Sequence, residues 1–230
     1  MRLKCKNITF QYPNSDTYVF KDLACQVGGP GFHALFGPSG VGKTTLARMV
    51  AGEIPEFSGE IINDEIENVL FSYNLERLPG WCTVGDHVAQ VTPDSNKERI
   101  DDLVTSFALE RCMRSSFTQL SLGQQNRVNL TRYLLQDFDL LIMDESLANV
   151  DEVTREKIIF KIKEMFPSKC FLYISHNVLE VSKFCKEILV LRGPHRAPQA
   201  VTISGQDWAG GETLEQKALE LTMLEIMHAS

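Results

Sequence analysis

The sequence predicts an α/β fold in which a mostly parallel sheet is flanked by helices, with an antiparallel β part at the N-terminus and a helical insertion. Three observations predict this class. Short apolar runs alternate with helical patterns before residue 75 and again after residue 120, which is typical of parallel sheets covered by helices. A glycine-rich turn, residues 37–45, joins one apolar run directly to a helical pattern. Between residues 75 and 120 the strand pattern gives way to helical spacing.

The first elements are predicted to be strands. Residues 3–27 alternate apolar and polar side chains around a polar break at 13–17, which indicates an antiparallel hairpin or an edge sheet. Residues 33–36 are typical of a short buried strand, and the helix that begins after the glycine-rich turn should end at Gly52. Two more short strands are predicted, at residues 60–62 and 68–73.

Residues 83–109 form the helical part of the insertion. Their apolar side chains recur at i, i+3, i+4 and i+7, the spacing of one helical face, at Ile100, Leu103, Val104 and Phe107. We therefore expect a helical subdomain at residues 75–120, and an α/β core that combines residues 1–74 with residues 121–192.

Strands and helices alternate again in the second half of the chain. Three buried strands are predicted, at residues 139–143, 170–175 and 187–191. One helix is predicted from its apolar positions Val153, Ile158, Ile159, Ile162 and Phe166. This order implies a largely parallel sheet between helices.

Residues 193–230 are predicted to be a turn-rich linker followed by a terminal helix. The apolar stripe of that helix is predicted to contain Leu214, Ala218, Leu221 and Met227. Such a helix either packs on its own domain or serves dimer formation or regulation.

Length and composition restrict the class of protein. The 230 residues, 43% of them hydrophobic, suit a single domain spanning 1–230 with a sizeable core. A membrane helix needs about 18 unbroken apolar residues, and no run in the sequence approaches this length. The N-terminus also lacks the apolar region of a secretory signal, so we expect a cytoplasmic protein. The six cysteines are scattered and indicate neither a zinc site nor a disulfide scaffold. A net charge of −7 opposes binding to nucleic acids or anionic lipids, so membrane contact should come through a protein partner.

The glycine-rich turn has the sequence GPSGVGKT, which fits the phosphate-loop pattern G-x-x-x-x-G-K-S/T between a strand and a helix. Glycines let successive backbone N–H groups point inward at phosphate oxygens, and the helix N-terminus adds its positive end. Lys43 would contact the β- and γ-phosphates, and the Thr44 hydroxyl is a hard oxygen suited to Mg²⁺. The alternative is a glycine-rich turn without a ligand. The predicted ATP-binding residues of the loop are Gly37, Pro38, Ser39, Gly40, Val41, Gly42, Lys43, Thr44 and Thr45.

Three further polar residues follow predicted strands, where ligands sit in parallel sheets. Asp144 is a candidate ligand of Mg²⁺, and Glu145 a candidate for orienting or deprotonating the attacking water. His176 follows the strand at 170–175 and is a candidate contact of the γ-phosphate. Alone, an acidic pair is more often a solvated strand end, and such a histidine is usually a surface or capping residue.

The segment LSLGQQNRV, residues 120–128, resembles the LSGGQ signature of ABC ATPases and lies between the phosphate loop and the acidic pair, as in that family. Other family elements occur in order: Tyr12 resembles the aromatic residue that stacks on adenine, residues 147–151 resemble the D-loop, and His176 resembles the switch histidine. The resemblance spans residues 3–191 and implies a P-loop NTPase fold with a RecA-like sheet. It also implies ATP and Mg²⁺ as cofactors.

The resemblance implies a head-to-tail pair of such domains, either a homodimer or a pair with a related ABC ATPase. Ser121, Gly123 and Gln124 of one domain would then close over the ATP held by the loop of the other. It implies catalytic roles for Lys43, Glu145 and His176, and Mg²⁺ contacts from Thr44, Asp144 and Asn74. Asn74 is aligned with a family glutamine that contacts Mg²⁺ and the attacking water, which makes it a candidate for nucleotide binding as well.

Residues 77–84, RLPGWCTV, resemble a segment of importer ATPases of the nitrate, sulfonate and taurine type. This similarity implies that the helical insertion binds a coupling helix of a separate membrane permease, and that a solute-binding protein completes the complex. The chain would then be peripheral on the inner face of the membrane.

Several positions depart from the family pattern. Asn74 is one methylene shorter than glutamine, Leu122 replaces a signature glycine, and Ser146 stands where proline is common. The D-loop differs at Ala148, Asn149 and Val150. Asn74 and Leu122 leave open a weakly hydrolysing or regulatory subunit, although the loop, the acidic pair and His176 favour an active ATPase.

Other functions share the same motifs. The leading hypothesis is an ATPase that energises import of a small solute, and the alternative within the fold is an exporter or a lipid-extraction complex. A soluble ABC protein acting on DNA or ribosomes is opposed by the acidic charge, the single domain and the lack of a long coiled-coil insertion.

Overall fold

A computed structural model of the chain describes residues 1–73, 76, 78–211 and 213–230. The chain forms two compact units. The first contains Met1–Phe71, Asp139–Ile142 and Pro167–Ser230, and the second contains Ser72–Phe138 and Met143–Phe166. The predicted limits of the helical subdomain, residues 75–120, stay a prediction.

A three-stranded antiparallel sheet opens the first unit. It consists of β1 (Arg2–Phe10), β2 (Phe20–Gly28) and β4 (Ser58–Asp64), in the order β2-β1-β4. Side chains on one face of β1 and β2 are buried, including Leu3, Ile8 and Phe10. The alternating pattern of the sequence therefore predicted this hairpin correctly.

A six-stranded sheet, most of whose residues belong to the first unit, has the order β5-β6-β7-β3-β8-β9. β3 runs parallel to both β7 and β8, and β9 is antiparallel to β8. The predicted α/β class with a parallel sheet is confirmed, but β9 was not predicted and occupies part of the tail that was interpreted as linker and helix. The strands are β3 (Gly31–Phe36), β5 (Val69–Ser72), β6 (Leu140–Asp144), β7 (Cys170–Ile174), β8 (Glu187–Leu191) and β9 (Ala200–Ser204).

Three helices accompany these sheets: α1 (Lys43–Val50), α6 (Val178–Phe184) and α7 (Gln216–Ala229). Leu46 of α1 joins the apolar core beneath the antiparallel sheet, together with Leu35 and Leu189 of the larger sheet. Gly52 follows α1 with a φ of 77°, the left-handed conformation that ends helices.

The terminal helix α7 packs on α6 and β9. Its buried residues are Leu219, Thr222 and Ile226, whereas Leu221 and Met227 are exposed. The predicted stripe was therefore wrong: apolar residues surround this helix on more than one side, and periodicity does not identify the face that packs.

The second unit is mainly helical, as predicted for residues 83–109. Leu103, Val104 and Phe107 are buried, so the spacing there identified the correct face. The helix predicted from Val153, Ile158, Ile159, Ile162 and Phe166 is present; Ile158, Ile159 and Ile162 are buried, whereas Val153 is 65% exposed. The helices are α2 (Val84–Val91), α3 (Ile100–Ser106), α4 (Leu122–Leu134) and α5 (Glu152–Met165), with 3₁₀ turns at Asp94–Arg99 and Phe117–Gln119.

Within the described part of the chain, no helix combines the length and the apolar character required to cross a membrane.

Candidate nucleotide-binding site

The predicted phosphate loop connects β3 to α1 in the first unit. Gly37, Gly40 and Gly42 have φ values of 149°, 78° and 105°, in the region that favours glycine. A Cβ at Gly37 would lie 2.5 Å from the backbone oxygen of Leu191, and one at Gly42 would lie 2.6 Å from Val19 Cγ1. Packing and backbone conformation thus both require glycine at the two ends of the loop.

Lys43 begins α1 and folds back over the loop. Its ammonium donates to the backbone oxygens of Gly37, at 2.8 Å, and Pro38, at 2.9 Å. Gly42 is the N-cap of α1, and its carbonyl accepts the first helical hydrogen bond, from Leu46 N at 2.8 Å. The ammonium and the positive end of the helix therefore lie at the same loop, an arrangement that favours a polyphosphate.

Several loop residues are accessible to a ligand. Pro38, Ser39, Gly40 and Thr44 are exposed, and Val41 is partly buried. The Thr44 hydroxyl is a hard oxygen, and Mg²⁺ accepts ligands of that kind, so the donor suits the ion.

Tyr12 is tied to the same helix. Its hydroxyl lies 2.9 Å from Thr45 Oγ1, and its ring packs edge-on against Phe10, with 4.9 Å between centroids. Thr45, which was predicted as part of the ATP-binding loop, is buried. Its hydroxyl contacts Tyr12 instead of solvent. The two contacts fix an aromatic ring beside the first turn of α1, as a stacking role requires.

His176 lies at the same sheet edge as the loop. In the parallel pair β3 and β7, Leu35 is opposite Ile174, and Gly37 and His176 each follow two residues later. Because the two strands are parallel, the segments that follow them both leave the sheet at the carboxyl ends of the strands. His176 is exposed there, in the turn before α6.

The acidic pair belongs to the second unit. Asp144 is the last residue of β6, and Glu145 follows with a φ of 49°. The Glu145 carbonyl accepts a hydrogen bond from Ala148 N at 2.8 Å, which closes a turn. Both carboxylates are half-buried, and oxygen donors of this type suit Mg²⁺.

Ser146, which replaces the usual proline, has a structural role. Its buried hydroxyl donates to Ser72 Oγ at 3.0 Å and lies 3.2 Å from the Ser72 carbonyl oxygen. A proline would provide no such donor, so this departure links the residue after Glu145 to Ser72.

The signature segment starts α4. Ser121 is the N-cap: its hydroxyl accepts from Gln124 N at 3.3 Å, and the Gln124 side-chain oxygen accepts from Ser121 N at 2.9 Å. This reciprocal pair is a capping box. Leu122, which replaces a glycine, is 51% exposed, so much of its side chain faces solvent.

Gly123 contacts the D-loop within the second unit. A Cβ at Gly123 would lie 2.3 Å from the Asn149 backbone oxygen, and Asn126 Nδ2 donates to the Ala148 oxygen at 2.7 Å. Asn149 itself has a φ of 60°. The signature glycine is therefore required for close packing against the D-loop.

The predicted site residues divide between the units. The first unit brings together Tyr12, the loop at residues 37–45 and the sheet edge that carries His176, while the second holds Asp144 and Glu145, and separately Ser121, Gly123 and Gln124 at α4. Asn74 lies outside the described residues. The chemical roles of all these residues stay predictions.

One residue that contacts α4 was missed by sequence reasoning. Glu76 Oε1 lies 2.5 Å from Arg132 in an ion pair, its Oε2 accepts from the Tyr133 hydroxyl at 2.6 Å, and its carbonyl accepts from Asn129 at 2.9 Å. Burial, followed by the hydrogen bond to Glu76, raises the pKa of Tyr133. The three partners recur at i, i+3 and i+4 along α4, so polar helical spacing was the available signal.

Comparison with known proteins gives consistent matches. The ABC transporter family profile matches residues 20–148. The chain is 30% identical to the taurine import ATP-binding protein TauB of Roseobacter denitrificans over 202 residues, which cover 80% of this chain and 75% of that protein. It is 26% identical over 211 residues to the sn-glycerol-3-phosphate import ATP-binding protein UgpC of Chromobacterium violaceum, covering 84% of this chain and 57% of that protein.

Solved structures share the fold. A dimeric post-hydrolysis structure of the ATP-binding cassette MJ0796 with ADP and Pi has a TM-score of 0.70 at 22% identity, and covers 84% of this chain and 95% of that one. A bacterial Atm1-family ABC exporter with ATP bound has a TM-score of 0.75 at 21% identity, and covers 86% of this chain and 38% of that one. Together with the P-loop NTPase architecture, the family match identifies the chain as a member of the ABC transporter ATP-binding family and an ATPase subunit of an ABC transporter.

Proposed function

We propose that the chain hydrolyses Mg²⁺-ATP in order to drive import of a small solute through a separate membrane permease. The observation that carries this proposal is the loop at residues 37–45, where Lys43, two sterically required glycines and the N-terminus of α1 meet. This combination of donors and positive charge suits a nucleoside triphosphate.

Each predicted residue has a distinct chemical task in this proposal. Lys43 and the loop N–H groups bind the β- and γ-phosphates and neutralise charge that develops there. Thr44 and Asp144 would hold Mg²⁺, which supplies Lewis-acid stabilisation of the phosphates when bound, with Asn74 as a further oxygen donor. Glu145 orients the attacking water and accepts its proton, and His176 keeps that water in line with the γ-phosphate.

We further propose that two copies complete each site. Ser121 is exposed at the start of α4, where its hydroxyl and the helix N-terminus would bind the γ-phosphate of ATP held by the other copy. Gly123 and Gln124 fix the shape of that turn. A single predicted domain, with its core at 1–74 and 121–192, would thus work as a homodimer or beside a related ATPase.

Import is favoured over export by the relatives, whose names identify taurine and sn-glycerol-3-phosphate import ATP-binding proteins. The importer-like segment includes Trp81, which is 87% exposed in the second unit. An aromatic residue exposed to this degree is typical of protein interfaces, so we propose that this segment contacts the permease. The chain would then lie at the inner face of the membrane, with a solute-binding protein on the other side.

Replacement of Glu145 by glutamine tests the proposal. We expect Glu145→Gln to lose ATP turnover by at least about 100-fold, because general-base catalysis contributes roughly 10²–10⁴-fold, and to keep wild-type affinity for ATP. The loss should be accompanied by an ATP-dependent dimer in light scattering, since closed pairs would no longer be released. Glu152→Gln, an exposed carboxylate in the first turn of α5, is the matched control. Unchanged turnover in Glu145→Gln would overturn the assignment of the base.

A further inference from the structure

The carboxylate of Glu180 lies beneath the turn that carries His176. It is 7% exposed and belongs to α6, which follows that turn. We propose that Glu180 is a positioning residue that holds both chain neighbours of His176 and thereby sets the direction of the imidazole. The inference rests on the proposed role of His176 in ATP hydrolysis and adds a residue that acts through it.

Both neighbours of His176 donate to this carboxylate. Ser175 Oγ lies 3.2 Å from Glu180 Oε2, and Asn177 Nδ2 lies 3.2 Å from Glu180 Oε1. The two oxygens of one carboxylate therefore accept hydrogen bonds from Ser175, which precedes His176, and from Asn177, which follows it. Rotation of either peptide beside His176 would break one of these bonds.

A second set of bonds closes the same turn. Asn177 N donates to Ser175 Oγ at 3.1 Å, and Asn177 Oδ1 caps α6 by accepting from Leu179 N at 3.1 Å and Glu180 N at 3.3 Å. The backbone from the end of β7 to the first turn of α6 is thus fixed by side-chain hydrogen bonds. His176 is the exposed residue at the middle of this fixed turn.

Tyr173 provides an internal comparison. Its hydroxyl donates to the same Glu180 oxygen at 2.9 Å, but it does so from within β7 and not from a residue adjacent to His176. Loss of this donor weakens the solvation of the buried carboxylate without removing either bond to the turn. A purely stabilising role for Glu180 predicts that all three donors matter through folding alone, whereas a positioning role singles out the two that flank His176.

The conservative change Glu180→Gln should retain most of the arrangement. The amide oxygen still accepts from Asn177, and the amide nitrogen donates to the Ser175 and Tyr173 hydroxyls, which accept as well as donate. Glu180→Leu has a similar volume but removes every acceptor. We expect Glu180→Leu to lower kcat at least about 10-fold with little change in KM for ATP, since misplaced catalytic groups lose up to roughly 100-fold. Glu180→Gln and Tyr173→Phe should stay within about threefold of wild type.

A double-mutant cycle on the full chain tests the proposal. Kinetics are measured for Glu180→Leu, His176→Ala and the double variant, with thermal denaturation as a check on folding. If Glu180 acts through His176, Glu180→Leu causes no further loss of kcat in the His176→Ala protein. Losses that multiply, or a Glu180→Leu effect confined to KM or to stability, would overturn the inference.

Two additional results separate this inference from the proposed function. Where Glu180→Leu does not fold, Ser175→Ala replaces it in the same cycle, because it removes one of the two flanking donors and leaves the carboxylate. Full turnover in His176→Ala would remove the proposed role of His176, and this inference with it, while Glu145→Gln still reports on hydrolysis. Impaired His176→Ala beside unimpaired Glu180→Leu and Ser175→Ala would reject the positioning role alone.

Discussion

At the scale of single residues, Gly123 is a position of the signature segment where one added atom has a measurable consequence. A Cβ there would lie 2.3 Å from the backbone oxygen of Asn149, and a backbone atom does not move as easily as a flexible side chain. We expect Gly123→Ala to lower the free energy of unfolding by about 1–3 kcal/mol, the usual range for overpacking. Urea denaturation followed by circular dichroism measures this difference.

Leu122→Ala is the matched control, because it changes the adjacent residue of the same helix turn and Leu122 is 51% exposed. Its effect should stay within about 0.5 kcal/mol, as for most surface substitutions. Equal stability of Gly123→Ala and wild type would mean that α4 and the D-loop are not in close contact.

The residues near the site differed in how well they could be predicted. The phosphate loop was recognisable because its chemistry requires a fixed spacing of glycines and Lys43 along the chain. Glu180 and Glu76 were not. Glu180 lies three residues after the N-cap Asn177, a spacing that indicates a helix start but not a buried carboxylate. The partners of Glu76 lie 53 and 57 residues away in the sequence. Local motifs identify loops that bind through their own backbone, but they do not show which carboxylates accept hydrogen bonds inside the folded protein.

At the scale of elements, two helix N-caps allow the effect of a cap on stability to be compared with an effect on ATP turnover. Ser121 caps α4, and Thr83 caps α2 in the same way, with Asp86 N donating to Thr83 Oγ1 at 3.1 Å. Loss of either hydroxyl should lower the free energy of unfolding by about 1 kcal/mol. Only Ser121 has a proposed contact with ATP.

We therefore expect Ser121→Ala and Thr83→Ala to have similar free energies of unfolding. Ser121→Ala alone should lose ATP turnover, by at least about 10-fold, because hydrogen bonds to charged groups contribute about 1.5–3 kcal/mol. Denaturation and steady-state ATPase assays on both variants test this. Equal turnover in the two proteins would remove Ser121 from the proposed site and leave it a capping residue.

The elements that the sequence predicted well bury one clear face. α3 has apolar side chains at the helical period, and β1 and β2 alternate apolar and polar side chains except at a register shift, so the pattern identified the type of each element. β9 follows a proline- and glycine-rich stretch and contains only five residues, and α7 has apolar residues on several sides. Pairing with β8 makes residues 200–204 a strand, and packing on α6 selects the buried face of α7. No local sequence pattern identifies these tertiary partners.

For the molecule as a whole, His33 makes the free energy of unfolding depend on pH. This residue of β3 is fully buried, its Nε2 lies 3.2 Å from the Gly29 oxygen, and its Nδ1 lies 3.4 Å from Glu187. Burial lowers the pKa of His33 despite the opposing effect of Glu187. The folded protein therefore keeps this imidazole neutral at pH values where the unfolded chain protonates it.

The sign of the pH dependence follows from that difference. Above the ordinary histidine pKa of 6.5 both states are neutral at His33, and its contribution to stability is complete. As the pH falls below 6.5, the unfolded chain takes up a proton first, so the free energy of unfolding should decrease by up to about 1.4 kcal/mol per pH unit until the lowered folded pKa is reached.

We expect His33→Gln to show a shallower decrease between pH 6.5 and 5, although its stability at pH 7.5 will be lower. His87, whose pKa burial also lowers, is present in both proteins and cancels from the comparison. Denaturation at a series of pH values measures the two slopes, and identical slopes would mean that the pKa of His33 is not lowered in the folded protein.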